Sequence, residues 1–118
     1  MPDRHHSSQQ SIASEIAALY KSHYGRGPTS VAVHVVPGAV VCILEDVNSP
    51  TQASLLRYGA VDVADATHQR LQIGMADEMR SIVERAVGRP VRVYVPGFNA
   101  EDGATTDTFL LDPEEFPA

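Results

Sequence analysis

The chain has 118 residues, of which 43% are apolar and 20% are charged, and its formal net charge is −6. This length and composition predict one globular domain with a single core and argue against a disordered segment. The acidic balance argues against binding to nucleic acid or to an anionic membrane surface, because both attract a basic protein face.

A single cysteine, Cys42, cannot form an intramolecular disulfide, which favours a reducing compartment. No apolar run reaches the roughly 18–20 residues that cross a bilayer. Residues 1–10 are polar and lack the apolar core of a signal peptide. We therefore expect a cytoplasmic protein that does not insert into a membrane and that, if it acts at one, does so through another protein.

The first predicted element is a helix over residues 11–24, which follows a flexible tail over residues 1–10. Its apolar positions recur every three or four residues, as an amphipathic helix requires: Ile12, Ile16, Leu19, Tyr20 and His23. Gly25 is suited to end the helix as the C′ residue, and Pro28 cannot continue it. Residues 24–28 should therefore connect this helix to the next strand in a defined conformation, and we call them the joint.

A β-hairpin is predicted next, with strands over residues 31–36 and 39–44 and a Pro37-Gly38 turn. Pro-Gly favours a type II turn, whereas tight hairpins prefer the primed types. A loop longer than two residues therefore stays open as an alternative. The second strand is almost wholly apolar, which predicts a central strand that is covered on at least one face.

Two helices are predicted after the hairpin. Ser49 has the chemistry of an N-cap and Pro50 suits the first helical position, so a short helix should follow and end at Gly59. A longer helix is predicted over residues 61–87, closed by Gly88. Its apolar stripe contains Leu71, Met75, Met79, Ile82 and Ala86.

The last third predicts strands over residues 90–95 and 105–111, a loop between them, and an acidic tail over residues 113–118. Strands that come in runs separated by helices favour an antiparallel sheet with helices on one face. We expect a two-layer α+β fold in one domain over residues 11–112. It should have about four antiparallel strands, with the N-terminal and long helices on one face.

Arg26, which lies between Gly25 and Gly27, is the most tightly placed charge in the chain. An arginine at such a turn can bind an anion with help from backbone N–H groups. The spacing of a phosphate-binding loop is absent. The alternative is a helix end followed by an arginine in a salt bridge, with Glu45 as the expected partner.

Glu45 and Asp46 end the central strand and could serve acid–base chemistry or bind a hard cation. Neighbours on a strand point to opposite faces, so the two carboxylates cannot easily meet at one atom. The histidines His34 and His68 and the single Cys42 lack zinc-site spacing. We therefore predict a buried structural Cys42, no metal, no cofactor and no catalytic residue set.

Several segments together resemble the MpsC family over residues 12–111. They are the joint Tyr24-Gly25-Arg26-Gly27-Pro28-Thr29, the strand end Val41-Cys42-Ile43-Leu44-Glu45, Ser49-Pro50 before Leu55-Leu56, and Ile82-Val83-Glu84 before Gly88-Arg89. The resemblance implies a soluble cytosolic protein that acts beside membrane subunits of a Na+-translocating, membrane-potential-generating system linked to bicarbonate uptake. No catalytic residue set is carried over from it.

The chain departs from the family pattern in two places. The glycine that usually follows the strand-ending glutamate is Asp46 here, and the arginines usual in the first half of the long helix are reduced mainly to Arg70. An anionic partner that binds a basic face of the long helix is therefore not expected for this chain.

Two functional hypotheses follow. The first is a non-catalytic accessory or regulatory protein that docks on membrane transporter subunits. The second is a small-molecule or anion-binding module that uses Arg26, Arg89 and Glu45, with an enzyme built on the same residues as a variant of this hypothesis. The candidate binding residues are Tyr24, Gly25, Arg26, Gly27, Glu45 and Arg89. We also expect a homodimer that buries the Met75/Met79 side of the long helix or a sheet edge.

Overall fold

The computed structural model of the protein describes the backbone of residues 4–113 and the side chains of residues 7–113. Residues 1–3 and 114–118 of the two expected tails lie outside the described residues, so for them the tails stay predictions. The elements are α1 (Arg4–Tyr24), β1 (Ser30–Val36), β2 (Ala39–Glu45), α2 (Pro50–Arg57), α3 (Val61–Val87), β3 (Val91–Val95), β4 (Phe98–Asn99) and β5 (Ala104–Leu111).

The strands form one antiparallel sheet in the order β1-β2-β5-β3, and the short β4 pairs with β5. The predicted α+β class is thus confirmed, with both predicted strand pairs joined through β2 and β5. Strand β4 lies inside the segment predicted as a loop. Its two residues are too short to show the alternation that identifies a strand from sequence.

Helices α1 and α3 pack on the same face of this sheet. Because strand side chains alternate, β2 and β5 point every second residue toward the helices. The core that results contains Ile12, Ile16 and Tyr20 from α1, Met75, Met79, Ile82 and Val83 from α3, and Val40, Cys42, Leu44, Phe109 and Leu111 from the sheet. The buried Cys42 agrees with its predicted structural role.

The opposite side of the sheet carries no described helix, and we call it the outer sheet face. Strand register aligns its residues in three cross-strand rows. Every one of them is half-buried or exposed. The rows are Ala32, Ile43 and Thr106; His34, Val41, Thr108 and Val95; and Val36, Ala39, Leu110 and Val93.

Most element boundaries agree with the sequence to within a residue, and the start of α1 does not. Helix α3 begins at Val61 and ends at Val87, as predicted, and Gly88 closes it in the left-handed conformation at φ 71°. Helix α1 starts at Arg4, before the expected start at residue 11, so the expected tail is helical over residues 4–10. Polar helix turns such as this one carry no apolar stripe to reveal them.

The connection between β1 and β2 is a two-residue turn, because Val36 pairs with Ala39. The longer loop left open by the sequence is therefore wrong. Gly38 has φ 85°, the positive value that the third position of a type II turn needs. The Pro-Gly pair thus keeps its preferred turn type although primed turns are commoner in hairpins.

Met75 and Met79 lie in the core, so the homodimer interface predicted on that side of the long helix is wrong. Met79 is fully buried and Met75 nearly so. Apolar residues at helical spacing mark whichever face is buried, and sequence cannot tell a core from an interface. Here the sheet covers that face.

We expect Met79→Ala to lower the free energy of unfolding by about 2–4 kcal/mol, because it leaves a cavity in a close-packed core. Ile73→Ala, on the exposed side of the same helix, should change it by less than about 0.5 kcal/mol. Urea denaturation followed by circular dichroism measures both. Equal effects for the two variants would contradict the placement of Met79.

Candidate functional site

The joint after α1 turns the chain from the helix into β1. Gly25 takes φ 80° and its N–H donates to the Lys21 carbonyl at 3.0 Å, so it is the predicted helix-ending residue. A Cβ on Gly27 would lie 3.3 Å from the Ala17 carbonyl oxygen, so this glycine allows the chain to pass close to α1. Tyr24 points inward and is nearly fully buried.

Arg26 forms a two-pronged ion pair with Asp46 rather than with the predicted Glu45. Arg26 Nη2 donates to Asp46 Oδ2 at 2.6 Å and Nη1 donates to Oδ1 at 3.2 Å. Nη1 also lies 3.4 Å from the Asn48 carbonyl oxygen. The Arg26 side chain is 39% exposed and the Asp46 side chain is 49% exposed, so water screens the attraction between the two charges. This joint pair fixes the direction of the guanidinium at the surface.

Asp46 is in contact with Arg26 because of its backbone. Its φ is 55°, the left-handed conformation that glycine usually takes and that aspartate tolerates. A glycine at this position would fit the same conformation without strain. This chain adds a carboxylate there, and the left-handed turn redirects it from the strand toward the joint.

The other predicted site residues do not meet Arg26. Glu45 is the exposed last residue of β2 and lies on the side of the outer sheet face. It is at the end of the sheet where Leu44 pairs with Thr105. Arg89 donates to the Asp112 carbonyl oxygen at 2.5 Å, just beyond the other end of β5. At about 3.3 Å per strand residue, the two ends of β5 are roughly 20 Å apart. Arg26, Glu45 and Arg89 therefore do not form one site.

A cleft of about 520 Å³ opens between the start of α3 and the segment around β4. Its walls carry three carboxylates, from Asp62, Asp65 and Glu101, beside the ring of Phe98. Asp65 already accepts a hydrogen bond from Gln69 at 2.7 Å. The described residues contain no group of three or more histidine, cysteine or acidic side chains placed to hold a metal ion. The acidic walls disfavour an anion.

Behind this cleft, His68 of α3 is fully buried among aromatic rings. Its ring stacks on Phe98 with centroids 3.7 Å apart and on Tyr24 with centroids 4.7 Å apart. Gln52 Nε2 donates to His68 Nδ1 at 3.0 Å, which leaves the proton on Nε2. Burial lowers the pKa of His68 to about 4, so the ring is neutral.

Gln52 connects the two helices at this point. Its side-chain oxygen accepts from the Ser49 N–H at 2.9 Å, and its own N–H donates to Ser49 Oγ at 3.2 Å. This capping box, with Pro50 following the cap, confirms the predicted start of α2. The same side chain that caps α2 therefore also holds His68 of α3.

A second buried polar group is Asp107 of β5, which is fully buried. Its carboxylate accepts from Thr105 Oγ1 at 2.7 Å, from the Tyr94 hydroxyl at 3.1 Å and from the Gly97 N–H at 3.4 Å. Burial raises the pKa of Asp107, and these three donors offset part of the rise. Gln72 of α3 extends the group by donating to Thr105 Oγ1 at 3.2 Å.

Sequence reasoning missed this buried polar group. One signal was present: Asp107 shares strand parity with Phe109 and Leu111, so it lies on the face turned to the core. Gln72 carried the helical equivalent, because it lies three residues before Met75 and seven before Met79 on the buried face of α3, whereas Gln52 gave no such signal. The Cys42 thiol is also in the core, where burial raises its pKa to about 12. A thiol in that state is a poor nucleophile.

The fold is that of a small α+β protein in which Cys42, His68 and Asp107 are buried. The candidate contact residue is Arg26, which lies at the surface in the turn after α1. Among the residues that the structure describes, no helix is long and apolar enough to cross a membrane. The family model for the Na+-translocating membrane potential-generating system (MpsC) matches residues 4–113. The chain belongs to the MpsC family. No curated protein and no solved structure matches it.

The joint pair should contribute little to stability. Arg26→Ala and Asp46→Asn should each lower the free energy of unfolding by about 0.2–1 kcal/mol, because both groups are substantially exposed. A double-mutant cycle with thermal denaturation measures the coupling, which should shrink as salt screens the charges. A loss above about 2 kcal/mol for Arg26→Ala would show a buried role instead.

His68 should make the protein less stable in acid. Its pKa falls from 6.5 in the unfolded chain to about 4 in the fold, so the unfolded state binds the extra proton between these values. Above pH 6.5 His68 does not lower the free energy of unfolding. By pH 5 it should lower this free energy by about 2 kcal/mol. Urea denaturation across this range should show the loss. His68→Gln should remove that slope, whereas His34→Gln, on an exposed strand position, should keep it.

Proposed function

We propose that this protein is a non-catalytic, cytosolic accessory or regulatory protein of a Na+-translocating membrane system. The observation that carries the proposal is the match of residues 4–113 to a family described by that system. A cytoplasmic location, and any link to bicarbonate uptake, belong to the same proposal. The protein would act through contacts with membrane subunits.

The state of the reactive side chains supports a role without catalysis. Cys42 is buried with its pKa raised to about 12, and His68 is buried, neutral and stacked between rings. Asp107 is enclosed by three hydrogen-bond donors. A general base or nucleophile has to reach a substrate atom, and none of these three side chains is open to one.

Arg26 is the contact that we propose for the membrane partner. Its guanidinium is partly exposed, and Asp46 and the Asn48 carbonyl hold it in one orientation. A side chain that is already ordered loses little conformational entropy when a partner binds. Gly25 has no heavy atom within 4 Å of the place of a Cβ, so it leaves room for a partner to approach the backbone.

The alternative of an anion-binding module gains less support. Arg26 is already engaged with Asp46, and an anion would have to displace that carboxylate. Arg89 lies at the opposite end of β5 from Glu45. The cleft beside α3 has acidic walls. Each of these observations opposes a shared anion site built from Arg26, Arg89 and Glu45.

Removal of the protein should weaken Na+-dependent generation of membrane potential. The experiment deletes the gene in the native cell and follows a voltage-sensitive dye as external Na+ is varied. The wild-type gene should restore the response, and Arg26→Ala should not, because it removes the proposed contact while the fold persists. An unchanged response in the deletion strain would contradict the proposal.

Arg57→Ala is the matched control for this experiment. Arg57 is an exposed arginine at the end of α2, and it donates to Ser54 Oγ at 2.8 Å. It lies outside the joint, so its loss should leave the response intact. If both arginine variants failed equally while folded and expressed, the assignment of the contact to Arg26 would be wrong.

A further inference from the structure

The three rows of the outer sheet face are mostly apolar and contain no charged residue. None of the residues in its three rows is lysine, arginine, aspartate or glutamate, although the whole chain has a net charge of −6. The central row runs His34, Val41, Thr108 and Val95 across all four main strands. A soluble domain normally places polar residues on the open side of an antiparallel sheet, so this pattern needs an explanation.

We propose that the outer sheet face binds the same face of a second copy of this chain, so that the two sheets stack in a symmetric homodimer. Two sheets packed face to face lie about 10 Å apart, with their side chains interleaved, as in a β-sandwich. In a two-fold dimer the same patch occurs on both subunits. The inference is independent of any role at a membrane.

The charge distribution favours a second copy over other occupants. Two chains that each carry −6 repel one another, so self-association needs a face free of charge. The three rows of the outer sheet face contain no charged residue and so meet this need. Glu45 is on the same side of the sheet, but it is the last residue of β2 and lies on the rim of the face. An apolar centre with charges at the rim is the usual arrangement of an interface. An anionic lipid surface would find no lysine or arginine within the three rows.

The size of the face also fits a dimer. Four strands about 4.8 Å apart, with rows spanning roughly 20 Å along them, give a flat area of about 400 Å². Side-chain relief adds to this, so two copies bury on the order of 1,000 Å², the lower limit for a specific interface. The residues are mostly valine, isoleucine and threonine, whose stiff side chains lose little entropy when they are buried.

Sedimentation equilibrium of the purified chain tests the proposal. The wild-type protein should show a species of twice 12.7 kDa at roughly 50 µM, a concentration at which an interface of this size should associate. Val41→Asp places a carboxylate at the centre of the face and should weaken dimerisation by roughly 30-fold or more. Circular dichroism and thermal denaturation establish that the variant is folded.

Val95→Asp and Val63→Asp form a matched pair if Val41→Asp does not fold. Both valines are 48% exposed, but Val95 lies on the outer sheet face and Val63 lies on α3. Val95→Asp should weaken the dimer and Val63→Asp should not. A wild-type monomer overturns the proposal and leaves the face to a different protein. A dimer that survives the strand substitutions in folded protein also overturns it and points to a sheet edge.

Discussion

The arrangement of the whole molecule depends on one constraint: the described helices that pack on the sheet all cover the same face. The strands β2 and β5 must therefore sort their side chains by parity, with large apolar residues toward α1 and α3. A shift of one residue in register would put Phe109 outside and Thr108 inside. The same constraint leaves the other face open, and that face is apolar too.

The interior formed under this constraint is partly polar, which is costly unless its groups are paired. Thr105, Tyr94 and the Gly97 N–H supply donors to Asp107, while Gln52 supplies one to His68. The bond from Gln52 to His68 joins α2 to α3, and the bond from Gln72 to Thr105 joins α3 to β5, so these two bonds fix how α2, α3 and the sheet lie together. Such networks tend to specify one arrangement more than they add stability.

Asp46 illustrates how a single residue changes a surface site. A left-handed backbone at this position turns the side chain toward Arg26, where a glycine would leave the guanidinium without that partner. The joint pair is exposed, so its energetic contribution is small, but it fixes the orientation of Arg26. A contact residue is more effective when its geometry is set before a partner arrives.

The sequence by itself determined the local elements. Apolar spacing marked α3 from Val61 to Val87, Ser49 and Pro50 marked the start of α2, and Gly25 and Gly88 marked helix ends. Each of these features depends on neighbours within a few residues, so periodicity and capping chemistry reveal it. The family resemblance followed from the same local segments, and the match over residues 4–113 agrees with it.

Only the tertiary structure decided which residues meet. It paired Arg26 with Asp46 instead of Glu45, separated Arg89 from both, and placed Met75 and Met79 in the core. It also brought His68 of α3 against Phe98 of β4. A local pattern cannot contain this information, because register, packing and backbone handedness at one residue fix contacts between segments far apart in sequence.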